Sequence, residues 1–145
     1  MATRRDNPYG RFNFLVEIED AGVVGGFSDV SGLGIEVSYS EYRTGDDPST
    51  VRRIPTLHRV SDVVLRRGVI GSTDLFDWLE AVSEGEYRPR PVAIALLNEK
   101  RETVVVWRLR QAQPKKWTGP TLNAKAGGEV AMEELVLVAE SITFE

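Results

Sequence analysis

Apolar residues recur at every second position along most of this sequence, and one segment alone carries helical spacing. Phe12, Phe14, Val16 and Ile18 alternate with Arg11, Asn13, Glu17 and Glu19, interrupted only by Leu15, which predicts a strand over residues 11–19 with one face buried. Val23 to Val30, set between Gly22, Gly25 and Gly26 and the turn Ser31-Gly32-Leu33-Gly34, predicts a second, short strand. Ile35, Val37 and Tyr39 alternate with Glu36, Ser38 and Ser40, so a third strand is expected to about Arg43. Its apolar row should face the core and its hydroxyl and carboxylate row the opposite side. Thr44 to Pro55 is dense in Gly, Asp, Pro and Ser and reads as a long loop. A fourth strand is expected over 62–69, where Asp62, Val64, Arg66 and Gly68 oppose Val63, Leu65, Arg67 and Val69 without a clean separation of faces.

The period then changes. Leu75, Trp78, Leu79 and Val82 fall at i, i+3, i+4 and i+7, preceded by the cap types Ser72 and Thr73, with Asp74 and Asp77 in the first turn and Gly85 beyond the end. This predicts a helix over about 73–84. Strands resume at Val92 to Leu97 and Thr103 to Gln111, joined as a hairpin through Asn98 to Arg101. Gln113 to Pro120 reads as an irregular crossing, Ala126 to Gly128 as a turn, and Val130 to Phe144 as one long final strand. The expectation is seven or eight strands with one helix between the fourth and fifth, in a single domain spanning 1–145.

Composition narrows the chemistry. The 145 residues include no Cys and one His, which excludes thiolate zinc sites, iron–sulfur clusters, CxxC redox chemistry and a Cys nucleophile. A formal net charge of -4 argues against a general nucleic-acid binder. No run reaches the ~18 apolar residues of a membrane-spanning helix. Met1 to Arg11 carries Arg4, Arg5 and Arg11 without a following apolar stretch, so a cytoplasmically made protein without a signal peptide is expected.

Nothing resembles an active site. His58 has no nucleophile motif beside it, and a surface or interface histidine is the simpler reading. Gly22 to Gly26 lacks the GxGxxG spacing, and Gly68 to Gly71 lacks the Lys-Ser/Thr of a P-loop. Glu133 and Glu134 are adjacent in a strand and should point to opposite faces, and Asp46 and Asp47 sit in a loop, a poor platform for catalysis. No catalytic residue, cofactor or metal site is assigned. The charges, however, are polarised: six Arg against three acids from Arg43 to Arg67, and five Glu with no basic residue from Glu129 to Glu145. Opposite charges on two surfaces suit head-to-tail association of identical subunits.

The order of several blocks adds a resemblance. Asn7-Pro8-Tyr9-Gly10-Arg11-Phe12-Asn13-Phe14-Leu15-Val16-Glu17-Ile18 and Gly26-Phe27-Ser28-Asp29-Val30-Ser31-Gly32-Leu33 open the chain. Glu41-Tyr42-Arg43 with Gly45-Asp46-Asp47-Pro48, Leu65-Arg66-Arg67-Gly68 and Leu75-Phe76-Asp77-Trp78 follow. Trp107-Arg108-Leu109, the run Pro114 to Ala124 and Val130 to Leu135 complete the series. Together they resemble the tail-tube proteins of contractile phage tails and related contractile injection systems, over nearly the whole chain.

The resemblance implies a mainly β fold: two packed antiparallel sheets forming a barrel-like sandwich with one flanking helix, similar to phage tail-tube and type VI secretion tube subunits. It implies a structural, non-enzymatic role in which hexameric rings stack into a hollow inner tube, driven by contraction of a sheath, that conducts cargo protein or DNA. Its implied partners are further copies of itself, the contractile sheath protein, and baseplate and cap proteins, within a phage tail or tail-like particle. On this reading Arg43, Asp46, Asp47, Arg52, Arg53 and Arg59 contact neighbouring subunits or rings, and Glu36, Ser38 and Ser40 face the lumen. Two other functions stay open from the residues alone: a monomeric ligand-binding β-barrel, which needs an apolar pocket, and a small hydrolase using His58.

Overall fold

The alternation from Phe14 to Ile18 becomes strand β1 (Phe14–Ile18), with Val16 and Ile18 buried and Leu15 and Glu17 exposed. A computed structural model describes residues 10, 13–19, 23–24, 26–43, 45, 49–125, 127 and 130–145. The single short strand expected over 23–30 is two, β2 (Val23–Val24) and β3 (Asp29–Ser31), with Gly26 between them at a φ of 74°. Such a left-handed turn interrupts any continuous ladder. At Gly32, φ is 86° and a Cβ would lie 2.0 Å from the Asp62 carbonyl oxygen, so the turn after β3 admits only glycine.

Three further strands follow: β4 (Ile35–Tyr42), β5 (Arg52–Val60) and β6 (Val63–Gly68). The long loop expected to Pro55 is therefore shorter, because Arg52 to Pro55 pairs with β4. Pro55 is tolerated since β5 has β4 on one side only, and a proline without an N–H fits a strand with a free edge.

Helix α1 (Asp74–Ser83) matches its spacing, with Leu75 and Trp78 buried and Leu79 and Val82 half-buried. Thr73 does not cap it; its Oγ1 donates to Asp77 Oδ2 at 2.9 Å instead. The chain leaves the helix through Gly85 at a φ of 100°. The Trp78 indole N–H donates to the Arg88 carbonyl at 2.9 Å, which satisfies its one polar atom inside the core.

Four more strands complete the chain: β7 (Arg90–Leu97), β8 (Thr103–Thr118), β9 (Met132–Val138) and β10 (Ser141–Phe144). The crossing expected over 113–120 is mostly a continuation of β8. Gln111, with a φ of 54°, bends that strand, and a register shift follows between Pro114 and Lys116. Opposite the bend the expected final strand also breaks, at Ala139 and Glu140, so β9 follows one half of β8 and β10 the other.

The bend makes β8 a member of two antiparallel layers. One has the order β2-β1-β7-β8 with β10 on the far side of β8, and the other runs β8-β9-β6-β3. Their facing rows, Val16, Ile18, Val92, Ile94 and Leu109 against Val63, Leu65, Leu135 and Leu137, form the core that Leu75 and Trp78 close from α1. The pair β4–β5 belongs to neither layer and forms its own two-stranded sheet.

Candidate functional site

Every residue of β4 is exposed, and so is every residue of β5 except Val60. This overturns the expectation that Ile35, Val37 and Tyr39 pack on the core of their own chain: Ile35 and Tyr39 are each 58% exposed. The reason is the topology, since the hairpin forms its own two-stranded sheet and, among the described residues, no layer lies against it. Tyr42, Val51, Ile54 and Leu57 add to the exposed apolar surface. A bare two-stranded ribbon with large apolar side chains is unstable as a free element and is the kind of surface that partners cover.

The register sorts its two faces. Ile35 pairs with Val60, Val37 with His58, Tyr39 with Pro55 and Glu41 with Arg53; Glu36 pairs with Arg59, Ser40 with Ile54 and Tyr42 with Arg52. Residues directly opposite share a face. The first set is the apolar face and continues from the buried Val60; the second carries most of the hydroxyl and charged groups. A register shift at Ser38 sets Thr56 and Leu57 against it, and Thr56 Oγ1 donates to the Ser38 carbonyl at 2.9 Å. Glu36, Ser38 and Ser40 therefore lie together on the polar face, and Arg52 and Arg59 share it. Arg53 lies on the other face, and Arg43 is exposed just beyond β4. Asp46 and Asp47 lie outside the described residues. Of the residues expected to make subunit contacts, Arg52 and Arg59 thus lie on one face and Arg53 on the other.

At the root of the hairpin the described residues leave the sandwich open. A groove of about 700 Å³ runs between β3 and the inner face of the β1-β7-β8 layer, floored by Phe14, Ile94, Leu96 and Trp107 and walled by Val30 and Leu33. Its rim is polar, with Ser28, Asp29 and Ser31. Trp107 meets Phe144 with ring centroids 5.4 Å apart at one end. Among the described residues β3 pairs with β6 only, so the edge bordering this groove carries no strand.

A buried ionic network holds the other side. Arg67, 3% exposed, bonds through Nε to Glu133 and through Nη2 to Asp74 Oδ1 at 2.5 Å. The second Glu133 oxygen accepts the Trp117 indole N–H at 3.2 Å. Glu134, the next residue, points outward to Arg66 at 2.8 Å, so the two adjacent carboxylates face opposite sides as expected. Burial works against the charged form of Asp74, but the hydrogen bonds from Arg67 and Ser72 and the guanidinium charge outweigh it and hold the carboxyl below its ordinary value. Burial likewise opposes the charge on Arg67, and its bonds to Glu133 and Asp74 more than offset this. The network ties the first residue of α1 to β6 and β9.

His58 is exposed on β5, opposite Val37. Trp78 is buried in the core, while Trp107 and Trp117 are half-buried, Trp117 edge-on to Phe76 at 5.2 Å. Among the described residues no group of acidic or His side chains is placed to hold a metal ion, and no helix is long and apolar enough to cross a membrane. Val51 and Ile54 fall in the segment expected as a loop, although Ile54 to Val60 carries enough β-branched and apolar residues to signal a strand.

The family model described as T4-like virus tail tube protein gp19 matches residues 10–143. A chain of an extracellular contractile injection system, the PVC sheath–tube complex in its extended state, is similar at a TM-score of 0.86 and 27% identity, covering 97% of this chain and 93% of that one. A chain from the tube-terminating cap of the anti-feeding prophage gives 0.86 and 25%, covering 100% and 95%. Hcp1 from Flavobacterium johnsoniae, at 0.62 and 15% with 92% and 94% covered, shares the fold. A comparison with curated protein sequences returned no match.

Proposed function

This chain belongs to the T4-like virus tail tube protein gp19 family, and we propose that it builds the inner tube of a contractile injection system, six copies closing into a ring and rings stacking into a hollow conduit. The observation that carries the reading is the exposed β4–β5 hairpin, whose apolar side chains have no cover among the described residues. Leaving them in water costs an isolated subunit free energy, and a repeated head-to-tail contact removes that cost in every copy. The family and its structural neighbours are structural tube proteins, which leaves the chain no need of catalytic machinery.

The chain acts as one tail-tube domain, made in the cytoplasm and assembled into a phage tail-like particle. Similar chains occur in sheath–tube, baseplate and cap assemblies, which supports a sheath around this tube, a baseplate at one end and a cap at the other. A sixfold ring is supported by the 6-fold symmetrised baseplate of the anti-feeding prophage, where a chain is similar at 24% identity. The polar hairpin face, with Glu36, Ser38 and Ser40, lines the bore, and the apolar face meets the next subunit. Arg43, Asp46, Asp47, Arg52, Arg53 and Arg59 contact neighbouring subunits or the adjacent ring. A bore with both charge signs and hydroxyls lets cargo protein or DNA pass without sticking, because retention needs an apolar patch or a field of one sign.

Native mass spectrometry of the purified chain tests ring formation: species of six chains, or multiples of six, are expected. Deleting Asp46 to Arg53 should leave a folded monomer by circular dichroism and stop assembly. Six-chain species formed by that variant at the wild-type concentration would show that the hairpin is not the contact.

A further inference from the structure

We propose that His58 makes the contact between copies sensitive to protons, so that rings form while its imidazole is neutral and loosen when mild acid charges it. This rests on the tube reading, in which the apolar face of the β4–β5 hairpin meets the next subunit, and adds to it a dependence on pH. His58 is the one His of a chain without Cys. Imidazole is the side chain whose ordinary ionisation falls between pH 5 and 8, a range in which carboxylates are already charged, Lys and Arg stay charged and Tyr stays neutral.

The position decides the sign. His58 is exposed in the single subunit, so water solvates either form of the ring there. Its cross-strand partner is Val37, and the pairs Ile35 with Val60 and Tyr39 with Pro55 flank it on the same face. Covering that face takes the ring out of water among apolar groups, which costs the charged form far more than the neutral one. The nearest charges on the face, Glu41 and Arg53, stand opposite each other toward the hairpin tip. On the other face Glu36 stands against Arg59 and Tyr42 against Arg52. The strand β10 also approaches β5 and has no titratable group from Ser141 to Phe144. Of the acids that flank it, Glu145 is bound to Arg108 at 3.3 Å and Glu140 is exposed. Among the described residues no carboxylate is in cross-strand register with the imidazole. The stretch from Arg43 to Arg67 already carries six Arg against three acids, so a further positive charge adds repulsion.

The test follows assembly of the full chain by analytical ultracentrifugation at pH 7.5 and at pH 5.5, on either side of the ordinary imidazole value. The wild-type concentration at half assembly should rise about tenfold from the first to the second, the change expected when a contact excludes one proton from an ordinary imidazole. Circular dichroism of the dilute monomer should be the same at both, because the ring is exposed in the subunit. His58→Asn, which carries no charge, should need one concentration at both pH values, whatever its level. His58→Lys, charged throughout, should need at both a higher concentration than wild type at pH 7.5. Absence of wild-type rings at pH 7.5 would overturn the tube reading itself. Wild-type rings that assemble equally at the two pH values, or more strongly at pH 5.5 as a carboxylate of the neighbouring copy against the ring would cause, would overturn this assignment alone. The same shift persisting in His58→Asn would also overturn it.

Discussion

Arg67 and Glu133 are cross-strand neighbours on β6 and β9, and they meet as an ion pair inside the core with both residues almost fully buried. Neither charge is placed there without its partner, because removing one leaves the other desolvated and unpaired. Glu133→Ala should therefore lower unfolding free energy by about 3–5 kcal/mol. Replacing the pair together, Arg67→Met with Glu133→Leu, should cost much less. Urea unfolding of the monomer measures both, and equal losses in the two variants would contradict this account of the pair.

Acid should release the same network through Asp74. Its folded value lies below the ordinary 3.8, so the stability it contributes is fully present above that ordinary value and is lost as pH falls through the folded one. Arg67 stays charged throughout and adds no pH dependence over this range. Melting temperature should hold from neutral pH to about pH 5 and fall below about pH 4. Asp74→Asn should lower the plateau and flatten that part of the fall; an unchanged acid limb in this variant would assign it to other carboxylates.

Trp78 is 2% exposed, donates to the Arg88 carbonyl and lies under the Arg90 guanidinium at 5.1 Å. Trp78→Ala should cost about 3–5 kcal/mol through lost burial and a cavity under α1. A thermal melt reads the loss directly, and a shift near zero would mean that the helix contributes nothing to holding the sandwich.

The residues that were legible, and those that were not, divide by what surrounds them. Leu75, Trp78, Leu79 and Val82 announce α1 because a helix on a sheet buries one stripe, which the sequence carries unaided. Arg67 defeated the face assignment of its strand, since alternation counts an arginine as outward. The missing signal was Glu133, equally misplaced on the apolar row of another strand, and only the pairing of β6 with β9 explains both. Pro55 and Pro114 fall in segments expected as a loop and a crossing, yet each sits beside a register shift in a strand segment paired on one side among the described residues, where no ladder N–H is lost. The alternation of Ile35, Val37 and Tyr39 marks one apolar face, but it does not say what lies against that face, and the topology leaves it exposed.

That face gives a labelling prediction. With Ser38→Cys and Val37→Cys made separately, both thiols should react in dissociated subunits, because both positions are exposed there. In assembled particles position 38 should still react with a small reagent while position 37 is protected. Protection of 38 with reaction at 37 would reverse the facing of β4 and its bore assignment.

The central claim, that this chain forms the rings and stacked conduit of an injection tube, is tested most directly by negative-stain electron microscopy of the purified full-length protein. The account predicts annular particles with sixfold symmetry and an open centre, extending into hollow tubes at higher concentration. Uniform monomers without a central opening, at concentrations where the hairpin surface is fully folded, would contradict it.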